Sequence, residues 1–106
     1  MTTTIITGAS KGIGKATATQ FVNDGCTVFN LSRTPSDLNG VENIQIDFSR
    51  ENAERDVAIF AEKLEPGVLN LIHNAAKLTS ETVRSNDIDN FREVMNINVI
   101  APQILN

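Results

Sequence analysis

Short apolar runs and amphipathic stretches alternate along this chain, and their spacing predicts strands and helices in turn. The apolar runs predict four strands, over about residues 3–7, 27–31, 44–48 and 68–72. The fourth run is almost entirely apolar, which is typical of a strand covered on both faces.

Apolar positions at helical spacing predict three helices. The first covers about residues 12–23 and ends at Gly25. The second follows Ser49, whose side chain is well suited to cap it, and the third begins near residue 86 or 87. The apolar stripes of the second and third helices are Ala53, Val57, Phe60, Ala61 and Leu64, and Ile88, Phe91, Met95 and Val99.

Strands that alternate with helices indicate a parallel sheet with right-handed crossovers. We expect the strand order 3-2-1-4, which is that of a Rossmann-like, doubly wound α/β sheet truncated to about four strands with flanking helices. The chain has 106 residues and no visible linker, so one domain is predicted over residues 1–106.

A glycine-rich turn joins the first predicted strand to the first helix, and it reads Thr-Gly-Ala-Ser-Lys-Gly-Ile-Gly over residues 7–14. The unpaired N–H groups at a helix N-terminus attract a pyrophosphate. Gly8 and Gly12 have no Cβ, so the backbone can turn sharply and approach a ligand closely. Gly14 allows the helix to lie close to the strand beneath it. This turn, directly after a strand, predicts a dinucleotide site.

Composition and charge narrow the class of function. The net charge of −4 at pH 7 argues against nucleic-acid binding, which needs clustered Lys and Arg. No apolar run approaches the roughly 20 residues of a membrane-spanning helix, so no membrane association is expected. The single cysteine, Cys26, cannot form a disulfide within the chain. We expect it to be a small buried apolar side chain in a reducing, cytoplasmic compartment.

Four stretches, in order and spacing, resemble the short-chain dehydrogenase/reductase family. Besides the glycine-rich turn, Asp47-Phe48-Ser49 resembles the family's acidic position after strand three, and His73-Asn74-Ala75-Ala76 resembles its Asn-Asn-Ala-Gly motif after strand four. Val94-Met95-Asn96-Ile97-Asn98-Val99 is similar to the segment around the family's helix-four asparagine. The resemblance covers essentially the whole chain. It implies hydride transfer between a nicotinamide cofactor and a carbonyl or alcohol.

The resemblance also implies roles for individual residues. Asp47 would accept a hydrogen bond from the adenine amino group beside the Phe48 backbone, and Asn74 and Ala75 would run along the adenosine ribose. Asn98 would support a proton-relay water. The residues that would line the pyrophosphate and ribose are Gly8, Ser10, Gly12, Ile13 and Gly14.

Several of these residues also fit a plainer structural interpretation. Asp47 fits a turn residue at a strand end, Asn98 an ordinary polar helix residue, and the only histidine, His73, a hydrogen-bonded structural group. Asn96 lies two positions before Asn98 and would point to another face of the helix, so the register decides which of the two matters. The spacing in the family favours Asn98. His73 and Ala76 depart from the family's motif, which has Asn and Gly at these positions.

The end of the second strand indicates which dinucleotide is preferred. A cofactor with a free ribose 2′-hydroxyl is usually held by an Asp or Glu near this point, where this chain has Ser32 followed by Arg33. A guanidinium binds a phosphate through charge-assisted hydrogen bonds, and Lys11 in the glycine-rich turn is a second candidate for the same 2′-phosphate. Basic residues at these two places resemble the NADP(H)-preferring members of the family. The sequence therefore predicts NADP(H), with solvated surface charges as the alternative, and no metal site.

The family's proton donor is missing, because the sequence contains no tyrosine. The resemblance implies a Tyr-x-x-x-Lys motif on helix five, and this chain has none. We therefore expect the NADP(H)-binding portion of a reductase, inactive alone. The alternatives are a non-catalytic dinucleotide-binding module and a structural module that acts with a partner chain supplying Tyr and Lys. Nothing in the sequence identifies a substrate.

Self-association is expected from the apolar surfaces of a four-stranded sheet. Val68, Leu69, Leu71 and Ile72 would border an unpaired edge, which offers its N–H and C=O groups to another chain. The apolar face of the third helix would also lack a neighbour. We therefore predict a homo-oligomer closed through strand four or the C-terminal helix.

Overall fold

The computed structural model describes residues 2–76 and 88–105, and the strands in these ranges form a single parallel sheet. The strand order is β3-β2-β1-β4, which confirms the predicted order and the Rossmann-like α/β class. The strands are β1 Thr2–Thr7, β2 Thr27–Ser32, β3 Val41–Gln45 and β4 Val68–Ile72.

Helices follow β1 and β3 and form the C-terminal part of the described chain. The first helix has the predicted bounds and is followed by Gly25, whose φ of +82° favours glycine. The predicted start of the third helix, at residue 86 or 87, lies outside the described residues, as does the Phe91 side chain. The helices are α1 Gly12–Asn23, α2 Ala53–Ala61, α3 Ile88–Met95, a π-helical segment Asn96–Ile100, and α4 Ala101–Leu105.

The third strand was predicted at 44–48, and this is wrong by three residues. It pairs with β2 from Val41 to Gln45, and the Ile46 N–H donates to the Ser32 carbonyl at 3.2 Å, where β2 ends. Ile46 and Phe48 lie beyond the strand but are buried. The alternating apolar residues that predicted a strand here are therefore buried in the core. They lie after the last residue of β3 that pairs with β2.

The prediction that Ser49 caps the second helix is also wrong. Helix α2 begins at Ala53, and its N-cap, Asn52, makes no side-chain capping hydrogen bond. The hydroxyl of Ser49 donates instead to Oδ1 of Asp47 at 2.5 Å, within a turn that separates β3 from the helix. A short serine side chain satisfied by the preceding carboxylate is not free to cap.

Two apolar clusters cover the two faces of the sheet. On one face, residues of α2 pack on Ile5 and Leu31, and the rings of Phe29 and Phe60 meet edge to face with centroids 5.1 Å apart. On the other face, Ala18 of α1 packs against Ile6 and Val28, and Cys26 is half-buried beside them. Because all the strand pairs are parallel, the carboxyl ends of the strands lie at one edge of the sheet.

Strand β4 lies at one border of this sheet. It has the predicted bounds, but its first residues, Val68 and Leu69, are 64% and 51% exposed. The expectation that this strand is covered on both faces is therefore wrong for its first half within the described ranges. None of the helices described is long and apolar enough to cross a membrane.

Candidate functional site

A cleft of about 500 Å³ lies beyond the carboxyl ends of the strands. Strand order reverses beside β1, which pairs with β2 on one side and β4 on the other, and ligands of open α/β sheets bind at such a switch point. The cleft brings together every predicted cofactor-binding residue except Gly14. These are Gly8, Ser10, Lys11, Gly12, Ile13, Ser32, Arg33, Asp47, Phe48, Asn74 and Ala75.

The glycine-rich turn forms one wall of the cleft. Gly8 and Gly12 have φ angles of +76° and +61°, which L side chains rarely adopt. Lys11 is the N-cap of α1 and makes no side-chain hydrogen bond to the first turn of the helix. The α1 N-terminus therefore meets the cleft without a side-chain cap, in an arrangement that suits an anion. Ile13 also borders the cleft and is 80% exposed.

Gly14 lies beneath the turn and not in the cleft wall. A Cβ placed on Gly14 would lie 2.5 Å from Nδ2 of Asn74 and closer still to the carbonyl oxygen of Gly8. Helix α1 can approach the end of β1 this closely only because residue 14 is glycine. Gly14 thus shapes the cleft through packing.

The segment after β4 forms the opposite wall. The Thr7 hydroxyl oxygen accepts the N–H groups of Asn74 and Ala75 at 3.0 and 2.9 Å, and Nδ2 of Asn74 donates to the Gly8 carbonyl at 3.0 Å. These bonds tie the segment to the glycine-rich turn. Positive φ angles occur only at glycines in the described ranges, so alanine at position 76 fits its backbone without strain.

Asp47 is part of a turn and also borders the cleft. Its Oδ1 accepts the Ser49 N–H at 3.0 Å and the Ser49 hydroxyl, and its Oδ2 lies 3.4 Å from Nε of Arg50. Partial burial alone would raise the pKa of Asp47. The hydrogen bonds from Ser49 and the positive charges of Arg33 and Arg50 outweigh it and hold the pKa below its ordinary value. Asp47 is therefore a carboxylate at neutral pH, and it combines the turn role with a place on the cleft.

The two cations singled out in the sequence lie on the same cleft. Lys11 and Arg33 are both exposed and both border it. Lys15, one turn along α1, is engaged elsewhere, because its Nζ lies 2.8 Å from Oδ1 of Asp37. Ser32 Oγ accepts the Thr34 N–H at 3.2 Å, which shapes the chain just after β2. Lys11 and Arg33 thus form a basic margin of the cleft, with no carboxylate at position 32.

Asn98 is not among the residues of the cleft wall. It is half-buried in the π-helical segment, which contributes Ile97 to the cleft. Asn96 lies on a different surface, where its Nδ2 donates to the Ser49 carbonyl at 3.0 Å. His73 follows β4 and is exposed. The proton-relay role of Asn98 stays a prediction.

The cleft also contains residues that the sequence did not single out. Three of them lie at or just after the ends of β2 and β3, and one lies in the π-helical segment. These residues are Leu31, Thr34, Ile46 and Ile97. Two polar residues outside the wall were also missed: Thr7, described above, and Asn30, which is 1% exposed within β2. Asn30 has one sequence signal, as a lone amide inside an apolar run. Residues 2–76 and 88–105 contain no cluster of three or more side chains suited to a metal ion.

A family model and two curated proteins match nearly the whole chain. The family described as short chain dehydrogenase matches residues 2–105. A benzil reductase ((S)-benzoin forming) of Bacillus subtilis is 32% identical over 95% of this chain and 44% of its own length. A D-erythrulose reductase of Gallus gallus is 33% identical over 95% of this chain and 46% of its own length. The chain spans about half the length of these curated relatives.

A solved structure resembles this fold closely. A 4-hydroxyisoleucine dehydrogenase in complex with NADH superposes with a TM-score of 0.83 at 30% identity, over 99% of this chain and 46% of that one. The similarity of fold therefore extends over almost the whole chain.

Proposed function

Because this chain belongs to the short-chain dehydrogenase/reductase family, we propose that it is the NADP(H)-binding portion of an oxidoreductase that acts on a carbonyl or alcohol. The proposal rests on one observation: Arg33 borders the same cleft as the glycine-rich turn and its Lys11. When bound, the nicotinamide cofactor supplies or accepts the hydride. The cofactor is NADP(H), and this chain binds and orients it.

The pyrophosphate of the cofactor lies against the N-terminus of α1. The positive φ angles at Gly8 and Gly12 support this, because they let the backbone turn sharply and border the cleft without a Cβ, beside the uncapped helix N-terminus. Ser10 and Ile13 border the same part of the cleft, as a hydroxyl donor and an apolar contact. Gly14 contributes by letting the helix approach.

The adenosine half lies between the ends of β2 and β3 and the segment after β4. Asp47 is ionised and keeps acceptor capacity, which suits the adenine amino group, with Phe48 beside it. Asn74 and Ala75 border the ribose and are held by Thr7. Asp47 on one side of the cleft and Asn74 on the other thus offer polar groups to the adenosine.

The ribose 2′-phosphate is recognised by Arg33, Lys11 and Ser32. Arg33 offers a planar guanidinium, Lys11 a point charge, and Ser32 a small side chain in place of a carboxylate. A carboxylate at position 32 would repel the 2′-phosphate. The lack of a carboxylate there therefore also favours NADP(H) over NAD(H). Charged hydrogen bonds of this kind contribute about 2 to 4 kcal/mol to discrimination.

The chain has no measurable reductase activity alone, because it has no tyrosine to protonate the carbonyl oxygen. Asn98 supports the proton relay only when another chain supplies the catalytic Tyr and Lys. This leaves a second candidate function, a non-catalytic dinucleotide-binding or structural module completed by a partner chain. The exposed start of β4 favours it, because that edge can accept another strand.

The chain self-associates, as a homo-oligomer closed through β4 or the C-terminal helix. Val68 and Leu69 on β4, and Ile88 and Val99 on the C-terminal helical segments, are all exposed apolar residues. Light scattering coupled to size exclusion is expected to give a dimer or larger species, and a stable monomer at high concentration would refute this. We also assign the chain to the cytoplasm, where Cys26 stays a free thiol, which fractionation of the source cells would test.

The cofactor assignment is tested by calorimetric titration of the parent, Arg33→Asp and Arg55→Asp with NADPH and NADH. The parent is expected to bind NADPH more tightly by roughly 30-fold or more. Arg33→Asp is expected to bring the two affinities together, whereas Arg55→Asp, an exposed arginine of α2 outside the cleft, keeps the preference. Equal affinities in the parent that Arg33→Asp leaves unaltered would overturn the assignment.

A further inference from the structure

We propose that Asn30, which lies outside the cleft wall, is a positioning residue that sets the preference for NADP(H). It does so by holding the glycine-rich turn and the β2–β3 connection in one fixed relation. The inference rests on the proposed function, since it concerns how that cofactor is selected.

The side chain of Asn30 is bonded to both segments at once. Its Oδ1 accepts the Ala9 N–H at 2.9 Å, inside the glycine-rich turn. Its Nδ2 donates to the Thr34 carbonyl at 3.3 Å and to Oδ1 of Asn43 at 3.0 Å. A primary amide has two N–H donors, and both are used here. Asn30 itself is 1% exposed, and its bond to Ala9 is buried, so the loss of that partner is costly. The bonds to Thr34 and Asn43 are part-buried.

Asn43 extends this connection along the chain after β2. Its Oδ1 also accepts the Ser36 N–H at 2.8 Å, and its Nδ2 donates to the Ser36 carbonyl at 3.1 Å. The pair of bonds closes a ring between the Asn43 amide and the Ser36 backbone. The β2–β3 connection is therefore fixed at Thr34 and at Ser36, and both attachments lead back to Asn30.

The segments joined by Asn30 each carry one of the cations on the cleft. Ala9 lies two residues before Lys11, and Thr34 directly follows Arg33. Lys11 and Arg33 are exposed and lie on separate segments, so their separation is set by the backbones that carry them. Asn30 is bonded to both backbones, at the Ala9 N–H and at the Thr34 carbonyl. It therefore determines whether the two cations converge on a single phosphate.

The chemistry of an amide is required at this position. Asn30→Asp would keep the acceptor for Ala9 but would place a second acceptor against the Thr34 carbonyl and Oδ1 of Asn43. Asn30→Leu keeps a similar size and removes all three bonds. Neither substitution replaces a residue of the cleft wall, so any change in cofactor preference would be transmitted through the two segments.

The test is the ratio of NADPH to NADH affinity, measured by calorimetry in the parent, Asn30→Leu, Asn43→Ala and Asn70→Leu. Asn70→Leu is the matched control, because this half-buried amide of β4 donates to Oγ1 of Thr4 at 3.3 Å and joins neither segment. Asn30→Leu is expected to lower the ratio by about tenfold, and Asn43→Ala by about threefold. Asn70→Leu is expected to leave it within about twofold.

The outcomes separate this inference from the proposed function. A folded Asn30→Leu that loses affinity for both cofactors equally, with an unchanged ratio, would show a merely structural role and overturn the inference alone. If Asn30→Leu does not fold, the exposed site Asn43 decides: a lowered ratio in Asn43→Ala supports the inference, and an unchanged one overturns it. A parent that binds neither dinucleotide overturns the proposed function, and the inference with it.

Discussion

The hydroxyl oxygen of Thr7 accepts the backbone N–H of Asn74 at a distance of 3.0 Å. It also accepts the N–H of Ala75 at 2.9 Å, and Thr7 is buried at the end of β1. A single side chain thus holds the segment after β4 against the glycine-rich turn. The two walls of the cleft are joined beneath its floor, by residues 67 positions apart in sequence.

Replacing Thr7 with valine is expected to destabilise the protein by about 2 to 4 kcal/mol, because two backbone N–H groups lose their acceptor while the side-chain shape is kept. Chemical denaturation measures the loss. Thr7→Ser is the matched control, since it keeps the hydroxyl and is expected to cost only about 1 kcal/mol, for one buried methyl group. A valine variant as stable as the serine variant would show that these bonds contribute little.

Gly14→Ala is expected to destabilise the protein by about 3 kcal/mol, because the new Cβ overlaps the Gly8 carbonyl and crowds Asn74. Helix propensity alone predicts the opposite sign, a gain of up to about 1 kcal/mol. Gly12→Ala serves for comparison, since no atom lies within 4 Å of a Cβ there and only its positive φ opposes the change, at about 1 kcal/mol. Thermal or urea unfolding of both variants decides between packing and propensity.

Asp47→Asn is expected to change how stability depends on pH. The folded-state pKa of Asp47 is lowered, so its contribution is fully present above the ordinary carboxyl pKa of about 3.9 and is lost as pH falls through the folded value. At pH 7 the variant should be less stable by roughly 1 kcal/mol, and the difference should shrink toward zero at the acid end. Urea unfolding at several pH values measures it, with exposed Glu65→Gln as the control. A difference that stays constant with pH would contradict the ionised carboxylate.

We expect no measurable carbonyl reduction by the chain, because no tyrosine is present as a proton donor. The loss of a positioned general acid alone costs roughly 100- to 10,000-fold in rate. The measurement is NADPH consumption with a panel of ketones and aldehydes, followed by its absorbance. Robust turnover by a homogeneous preparation would mean that another residue of this chain transfers the proton.

The local patterns of the sequence predicted the parts of the fold that depend on neighbours in sequence. Helix α1 and strand β4 have their predicted bounds. In each case the residues of the element and those next to it in sequence are enough to define where it begins and ends. Strand β3 was misplaced because Ile46 and Phe48 are apolar for the core, while the ladder with β2 ends at Gln45. Burial and pairing coincide in most strands, and here they do not.

The sequence named most of the residues that border the cleft, and their role in binding a cofactor stays a prediction. It did not reveal the residues that hold the walls of the cleft together. Resemblance to a family marks residues that meet a ligand, and Asp47 and Asn74 indeed border the cleft. Asn30 and Thr7 act on backbone groups 21 and 67 positions away, and no local pattern encodes such partners. The capping role of Ser49 failed for a related reason, because the Asp47 carboxylate competes for its hydroxyl.

The most direct test of the central claim uses adenosine ligands that need only the cleft described here. Titration of the parent by calorimetry with 2′,5′-ADP and with 5′-AMP isolates recognition of the 2′-phosphate from any contact to nicotinamide. With Lys11 and Arg33 on the basic margin, 2′,5′-ADP is expected to bind roughly 30-fold more tightly, and the advantage should disappear in Arg33→Asp. Equal affinities of the parent for the two ligands would contradict NADP(H) as its cofactor.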